Sequence, residues 1–368
     1  EAQGRDIIHL ESGQPDFPTF PHINMAGVGA IANGHTRYTP PAGNSGLREV
    51  IASDYSLRHG VEILPPEVVV GPGGKPGLFF TAIALIEPEN GDEVIYPDPG
   101  FPTYSAMVEI AGGVQCPVPL LEENSFSFDL DEFDKLVSEK TKLVVLNSPA
   151  NPTGGVMPME DLLHIAAAAQ KYDFWVISDE IYSRMAYDGL KVPSIITIPG
   201  MKERTIVVDG FSKTYAMTGW RLGYAIMPDV LAERVSLLLT HSIGCTAAFT
   251  QIAGIEALTG PQNMVDQMMK IFQVRRERMV SRLNDISGIQ CQVPEGAFYA
   301  FPNVRSFGIP SKELSLRILN EAGVAVLSGT DFGPHGEGYL RLCYANSLEN
   351  IDRALDRLRT FFANLSVI

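Results

Sequence analysis

Four cysteines, Cys116, Cys245, Cys291 and Cys343, are all that the sequence contains, and none forms a CxxC or stands beside a histidine cluster. That spacing excludes a zinc ribbon and a disulfide framework, so no metal is expected. Reduced core thiols and a cytoplasmic location are the expectation. Long apolar runs are missing as well. The most apolar stretch, "LFFTAIALI" at 78 to 86, is too short to cross a bilayer. The opening "EAQGRDIIHLESGQPDF" has no basic-then-apolar pattern, so it does not read as a signal peptide. Positive charge is scarce too: 28 Lys and Arg face 43 Asp and Glu, a formal net charge of −15. Long-range repulsion then argues against nucleic acid or another polyanion as partner, and leaves a small ligand in a locally basic pocket.

What is present is a soluble composition, 45% hydrophobic and 19% charged over 368 residues, enough for one large domain with a smaller companion. Between about 66 and 230 one grammar repeats, in which a short apolar run ends in polar, Gly or Pro residues and a helical pattern follows. The runs are "EVVVGPGG" (67 to 74), "DEVIYPDPG" (92 to 100), "KLVVLNSPANPTGG" (142 to 155), "FWVISDEIY" (174 to 182) and "TIVVDGFSK" (205 to 213). Each is apolar nearly throughout, as strands buried on both faces of a mainly parallel sheet are. The stretch from 158 to 174 reads as a helix with Pro158 in its first turn. From about 265 the pattern becomes α+β: a basic helix (268 to 286), short strands in "GAFYAFPNV", "GVAVLSG" and "GYLRLCYA", and a closing helix. That helix has Ser347 as N-cap and Ile351, Leu355, Leu358 and Phe362 on one stripe.

Ligands of parallel sheets bind outside the carboxyl ends of the strands, so the polar residues closing each run are candidate site residues. They are Gly73, Gly74 and Lys75; Phe101; Asn151; Asp179 and Tyr182; Ser212 and Lys213. Taken singly, each has an ordinary reading. The glycines can be a strand-to-helix turn, Asp179 a cap, Tyr182 and Phe101 packed rings, Asn151 an Asn-Pro turn and Lys213 a solvated amine. "GPGGKPG" is neither a GxGxxG fingerprint nor a Walker A loop, which counts against a nicotinamide dehydrogenase. Arg341 differs. It lies inside the apolar strand pattern "GYLRLCYA", where an unpaired charge costs several kcal/mol, so it needs an anion, either a protein carboxylate or a substrate's.

In their order and spacing, "NSPANPTGG", "SDEIY", "GFSKTYAMTGWRLGY" and "RLCYA" resemble the class I/II aminotransferases of the pyridoxal-phosphate fold type I superfamily, in particular the bacterial aspartate-aminotransferase-like subgroup. The likeness runs from "SGQPDFPTFPHI" (12 to 23) and "TRYTPPAGNSGLRE" (36 to 49) to the final helix. It implies a large α/β domain over 35–265, built on a mainly parallel sheet of the seven-stranded type, and a smaller α+β domain from 1–34 and 266–368. It also implies pyridoxal 5′-phosphate as cofactor.

Lys213 is then the Schiff-base lysine and proton carrier, and Asp179 faces the pyridine nitrogen. Tyr182 and Asn151 bond the ring's 3-oxygen, and Phe101 stacks on the ring. Arg221, eight residues past Lys213, holds the phosphate together with Gly74, Lys75 and Ser212. Tyr38 reaches that phosphate from a neighbouring subunit, which implies a homodimer with shared sites. Arg341, with Gly13 and Asn151, binds the substrate carboxylate. The implied reaction is ping-pong exchange of an amino group between an L-amino acid and a 2-oxo acid. Relatives with the same lysine, aspartate and arginines that catalyse C–S β-elimination are the alternative, and a non-catalytic cofactor-binding domain is a further one. Where close aspartate aminotransferases often carry tryptophan, this chain has Phe101, which offers no N–H to a distal carboxylate. Alanine and aromatic amino acids therefore stand beside aspartate as candidate substrates.

Overall fold

The computed structural model describes residues 4–367. Among them, in chain order, lie strands β1 (Ile8–His9), β2 (Val68–Gly71), β3 (Glu93–Asp98), β4 (Val114–Leu121), β5 (Ser127–Phe128), β6 (Thr141–Asn147), β7 (Trp175–Asp179), β8 (Thr205–Gly210) and β9 (Gly223–Ile226). After these come β10 (Tyr299–Ala300), β11 (Val324–Ala325), β12 (Leu327–Ser328) and β13 (Leu340–Cys343). β2 to β9 form one eight-stranded sheet in the order β2-β9-β8-β7-β6-β3-β4-β5. The pairs from β8 through β7, β6 and β3 to β4 are parallel, whereas β9 runs against both β2 and β8. The expected seven-stranded sheet is present, and the two-residue β5 adds an eighth strand at its edge.

The five apolar runs read from the sequence all become strands of this sheet, and period-2 alternation shares their side chains between its two faces. Val69, Val145, Ile177 and Val208 point into a core shared with Leu78, Met107 and Val235 of the helices Lys75–Leu85, Thr103–Ala111 and Asp229–Ser242. Val144, Leu146 and Val176 point the other way, against Leu162 and Ile165 of the helix Met159–Tyr172. Pro158 caps this last helix rather than sitting in its first turn. Each such aliphatic side chain, fully buried, contributes roughly 1.5–3 kcal/mol.

The remaining strands make two small sheets. β13 lies between β10 and β12, both antiparallel to it, and β1 runs parallel to β11. Ser347 caps the closing helix Leu348–Ala363 by accepting from the Asn350 N–H, and Ile351, Leu355, Leu358 and Phe362 are buried in the third and largest core. No helix among the described residues is long and apolar enough to cross a membrane.

Candidate active site

β2, β3, β6, β7 and β8 end toward one cavity of about 510 Å³, whose wall includes Gly74, Lys75, Phe101, Asn151, Asp179, Tyr182, Ser212 and Lys213. Arg221 enters it from the turn before β9, Arg341 from β13 and Gly13 from the N-terminal segment. Every candidate read from the sequence is therefore at this wall, except Gly73, which lies behind the Arg221 guanidinium, and Tyr38. That residue is 95% exposed and stands outside its own chain's cavity.

Lys213 follows β8 and donates its Nζ hydrogen to the carbonyl of Gly13. Burial pulls its amine down to about 8; Arg341 and Arg221 act in the same direction, while Cys343 and Asp179 oppose it. Asp179 closes β7. Burial raises its carboxyl to about 6, against the Tyr104 hydroxyl at 2.8 Å and the Ile181 N–H at 3.3 Å, both of which favour the charged form. Tyr182 shares a 2.8 Å hydrogen bond with the Tyr299 hydroxyl, and its phenol is pushed well up by burial.

Arg341 is 5% exposed and meets no carboxylate among the described residues. Nη1 donates to Asn151 Oδ1 at 3.0 Å and Nη2 to the Glu11 carbonyl at 2.6 Å, while the buried Nε has no partner. The guanidinium lies between the rings of Tyr299 and Phe332, 4.4 and 4.8 Å from their centroids. No described residue supplies its anion, and a buried guanidinium left unpaired is costly, so the site suits an anionic ligand. At the far end of the cavity Arg221 meets the carbonyls of Thr218 and Pro72. It faces the start of the helix Lys75–Leu85, whose Gly74 N-cap offers no side-chain cap and whose first N–H groups have no acceptor within the helix. A cation and free N–H groups at a helix N-terminus suit a phosphate. Gly73, at φ +89°, leaves the room in which a Cβ would collide with the Arg221 guanidinium.

Among the wall residues that escaped the sequence reading are Tyr104, Asn147, Thr218 and Tyr299. Asn147 takes the Asn151 N–H on its Oδ1 at 2.8 Å and donates Nδ2 to the Asp179 carbonyl at 3.1 Å. It was visible as the last residue of an apolar run, four before Asn151. The other three carry no such signal.

A match to the family described as aminotransferase class I and II spans residues 5–358. The chain belongs to this family. The aminotransferase is 41% identical to the aspartate aminotransferase of Pyrococcus abyssi over 96% of this chain and 91% of that protein. It is 38% identical to aromatic-amino-acid aminotransferase 2 of Thermococcus litoralis over 97% and 92%. Among solved structures, the aromatic aminotransferase of Pyrococcus horikoshii superposes with a TM-score of 0.95 at 39% identity, covering 98% of this chain and 97% of that one. The enzymes of this family use pyridoxal phosphate, and this chain is a pyridoxal-phosphate-dependent aminotransferase. Its cavity fits that cofactor: a part-buried amine of lowered basicity, a buried carboxylate and an anion cradle surround one space.

Proposed function

We propose that this cavity exchanges the amino group between an L-amino acid and a 2-oxo acid, with Lys213, Asp179 and Tyr182 as its chemical groups and Arg341 as the anchor of the substrate carboxylate. One observation carries the proposal: the buried Arg341 meets no carboxylate among the described residues, in a space it shares with the Lys213 amine. Pyridoxal phosphate, bound there, supplies an electron sink conjugated with the substrate Cα. Arg221, Ser212 and the N–H groups of Gly74 and Lys75 would hold its phosphate. Asp179 would face its pyridine nitrogen, Tyr182 and Asn151 would bond its 3-oxygen, and Phe101 would cover one face of its ring.

Lys213 is the point of covalent attachment. Once a substrate amine had taken its place, the free Nζ would carry the proton from the substrate Cα to the cofactor's C4′, and in the second half-reaction carry it back to the Cα of the incoming oxo acid. An amine lowered to about 8 keeps a neutral fraction for this task near neutral pH. Arg341, with Gly13 and Asn151 beside it, receives the carboxylate of each substrate in turn, so both half-reactions use one site.

Leu78, Phe101, Ile181 and Tyr299 supply apolar wall, and Phe101 has no N–H for a distal carboxylate. These features support apolar or aromatic side chains as the preferred substrates. The exposed Tyr38 supports a homodimer in which it reaches the phosphate end of the other copy's cavity. The pairing of β1 with β11 supports a small domain made of 1–34 and 266–368 beside a large one of 35–265. Four free thiols support a reducing, cytoplasmic setting.

The roles are tested with two variants and a donor panel. Lys213→Ala should lower kcat at least roughly a thousandfold, the order of general acid–base and covalent contributions. Arg341→Lys loses the guanidinium fork, and should raise KM for both amino and oxo acid by about tenfold or more while cofactor content stays at the wild-type level. An unchanged KM in Arg341→Lys sinks the carboxylate assignment. A kcat/KM for aspartate above that for phenylalanine or alanine sinks the side-chain preference.

A further inference from the structure

Asp179 has few hydrogen-bond donors for a buried carboxylate. Among the described residues its oxygens accept from the Ile181 N–H at 3.3 Å and from one side chain, the Tyr104 hydroxyl, at 2.8 Å. Tyr104 is 1% exposed and is the second residue of the helix Thr103–Ala111. Its N–H donates to the Phe101 carbonyl at 2.9 Å, and its ring meets the Phe101 ring edge-on, with centroids 5.8 Å apart and planes at 83°. One residue thus touches both the group read as facing the cofactor nitrogen and the ring read as covering the cofactor face.

We propose that Tyr104 is a positioning residue for the cofactor: its O–H fixes the Asp179 carboxylate and holds it in its charged form, and its ring edge sets the attitude of Phe101. The inference rests on the reading of Asp179 given above. A buried carboxylate is driven toward its neutral form, and a hydroxyl aimed at one oxygen favours the charged form while restricting its rotation. Of the groups that favour the charge on Asp179, the Tyr104 hydroxyl acts most strongly, ahead of the Ile181 N–H and the Lys213 amine. The ring is buried among Leu78, Val94 and Met107 whether or not it carries an oxygen. Removing the oxygen alone therefore separates the hydroxyl's role from that of core packing.

The test is a double-mutant cycle on the holoenzyme with Tyr104→Phe, Asp179→Asn and the pair. Two quantities are read for each protein: the dissociation constant of pyridoxal phosphate by ultrafiltration, and kcat with KM for the best donor. Tyr104→Phe should melt like the wild type. It should weaken cofactor retention and lower kcat roughly tenfold or more, the order for a lost hydrogen bond to a charged group, with KM nearly unmoved. In the Asp179→Asn background the same change should alter either quantity by less than about threefold, because the partner charge is gone. Full additivity of the two changes, or unaltered cofactor retention in Tyr104→Phe, overturns the role of Tyr104 while leaving that of Asp179 standing. An Asp179→Asn enzyme with wild-type retention and kcat overturns the reading of Asp179 itself, and the proposal with it.

Discussion

Beside Asp179, on the opposite side of the strand end, Glu180 is buried with its carboxyl bonded by the hydroxyls of Tyr55, Ser178 and Ser194. Burial raises it from 4.5 to about 7, the nearby charge of Asp209 adds to the rise, and the three hydroxyls oppose it. Its folded value lies above its unfolded one, so the folded chain keeps a proton that the unfolded chain releases. The stability contributed by this group is complete below about 4.5 and is lost as pH rises through about 7. A rise of that size corresponds to roughly 3 kcal/mol between the two ends of the window. Glu180→Gln, which keeps an oxygen to accept from the hydroxyls and cannot ionise, should gain on the wild type as pH rises. Urea midpoints measured at about pH 4.5 and about pH 8.5 check this, and a difference between the two proteins that ignores pH would disprove it. At this scale Asp179, Tyr182 and Lys213 were legible because each closes an apolar run or follows one closely. Tyr104 and Tyr299 were not, because what matters in them is a hydroxyl aimed across a tertiary contact, and neither spacing nor residue type announces that.

The turn joining β2 to the helix Lys75–Leu85 shows what an element adds. Gly73 takes φ +89°, a region open to glycine and strained for other residues, and its missing side chain is where the Arg221 guanidinium lies. Gly223 of β9 fits just as closely, since a Cβ there would strike the backbone of Gly73 and Gly74. Gly73→Ala should therefore keep the sheet and lose the anion cradle. Cofactor affinity should fall roughly tenfold or more, the combined effect of backbone strain and a displaced arginine, while far-ultraviolet circular dichroism stays that of the wild type. Wild-type affinity in this variant would remove Gly73 from the account of phosphate binding. The long elements were readable because an unbroken apolar run between turn signals leaves a buried strand as its best physical solution. β9 was harder, since its residues overlap the lysine–arginine motif. The short strands β10, β11 and β12 fall inside apolar runs that marked them, whereas the two-residue β1 exists through the pairing of Ile8 with Val324 and has no pattern of its own.

For the whole molecule the telling residue is the one that does not reach its own cavity. Tyr38 is almost wholly solvent-exposed in the single chain, and Met25, Val28 and Ile31 of the preceding helix Pro21–Ala32 are more than half exposed as well. If two copies share their sites, defects on Tyr38 and Lys213 damage different cavities. A Tyr38→Ala homodimer has two cavities without the phosphate contact, and a Lys213→Ala homodimer has two without the amine. A mixed dimer has one cavity missing both groups and one complete cavity, made of Lys213 from the Tyr38→Ala chain and Tyr38 from the Lys213→Ala chain. Equal amounts of the two variants, unfolded together and refolded, should put about half of the protein in mixed dimers and recover roughly a quarter of wild-type activity. Separate refolding followed by mixing supplies the control at the summed activity of the two homodimers. Recovery no higher than that sum, in a sample that sediments as a dimer, would mean that each chain completes its own site and that Tyr38 serves another purpose.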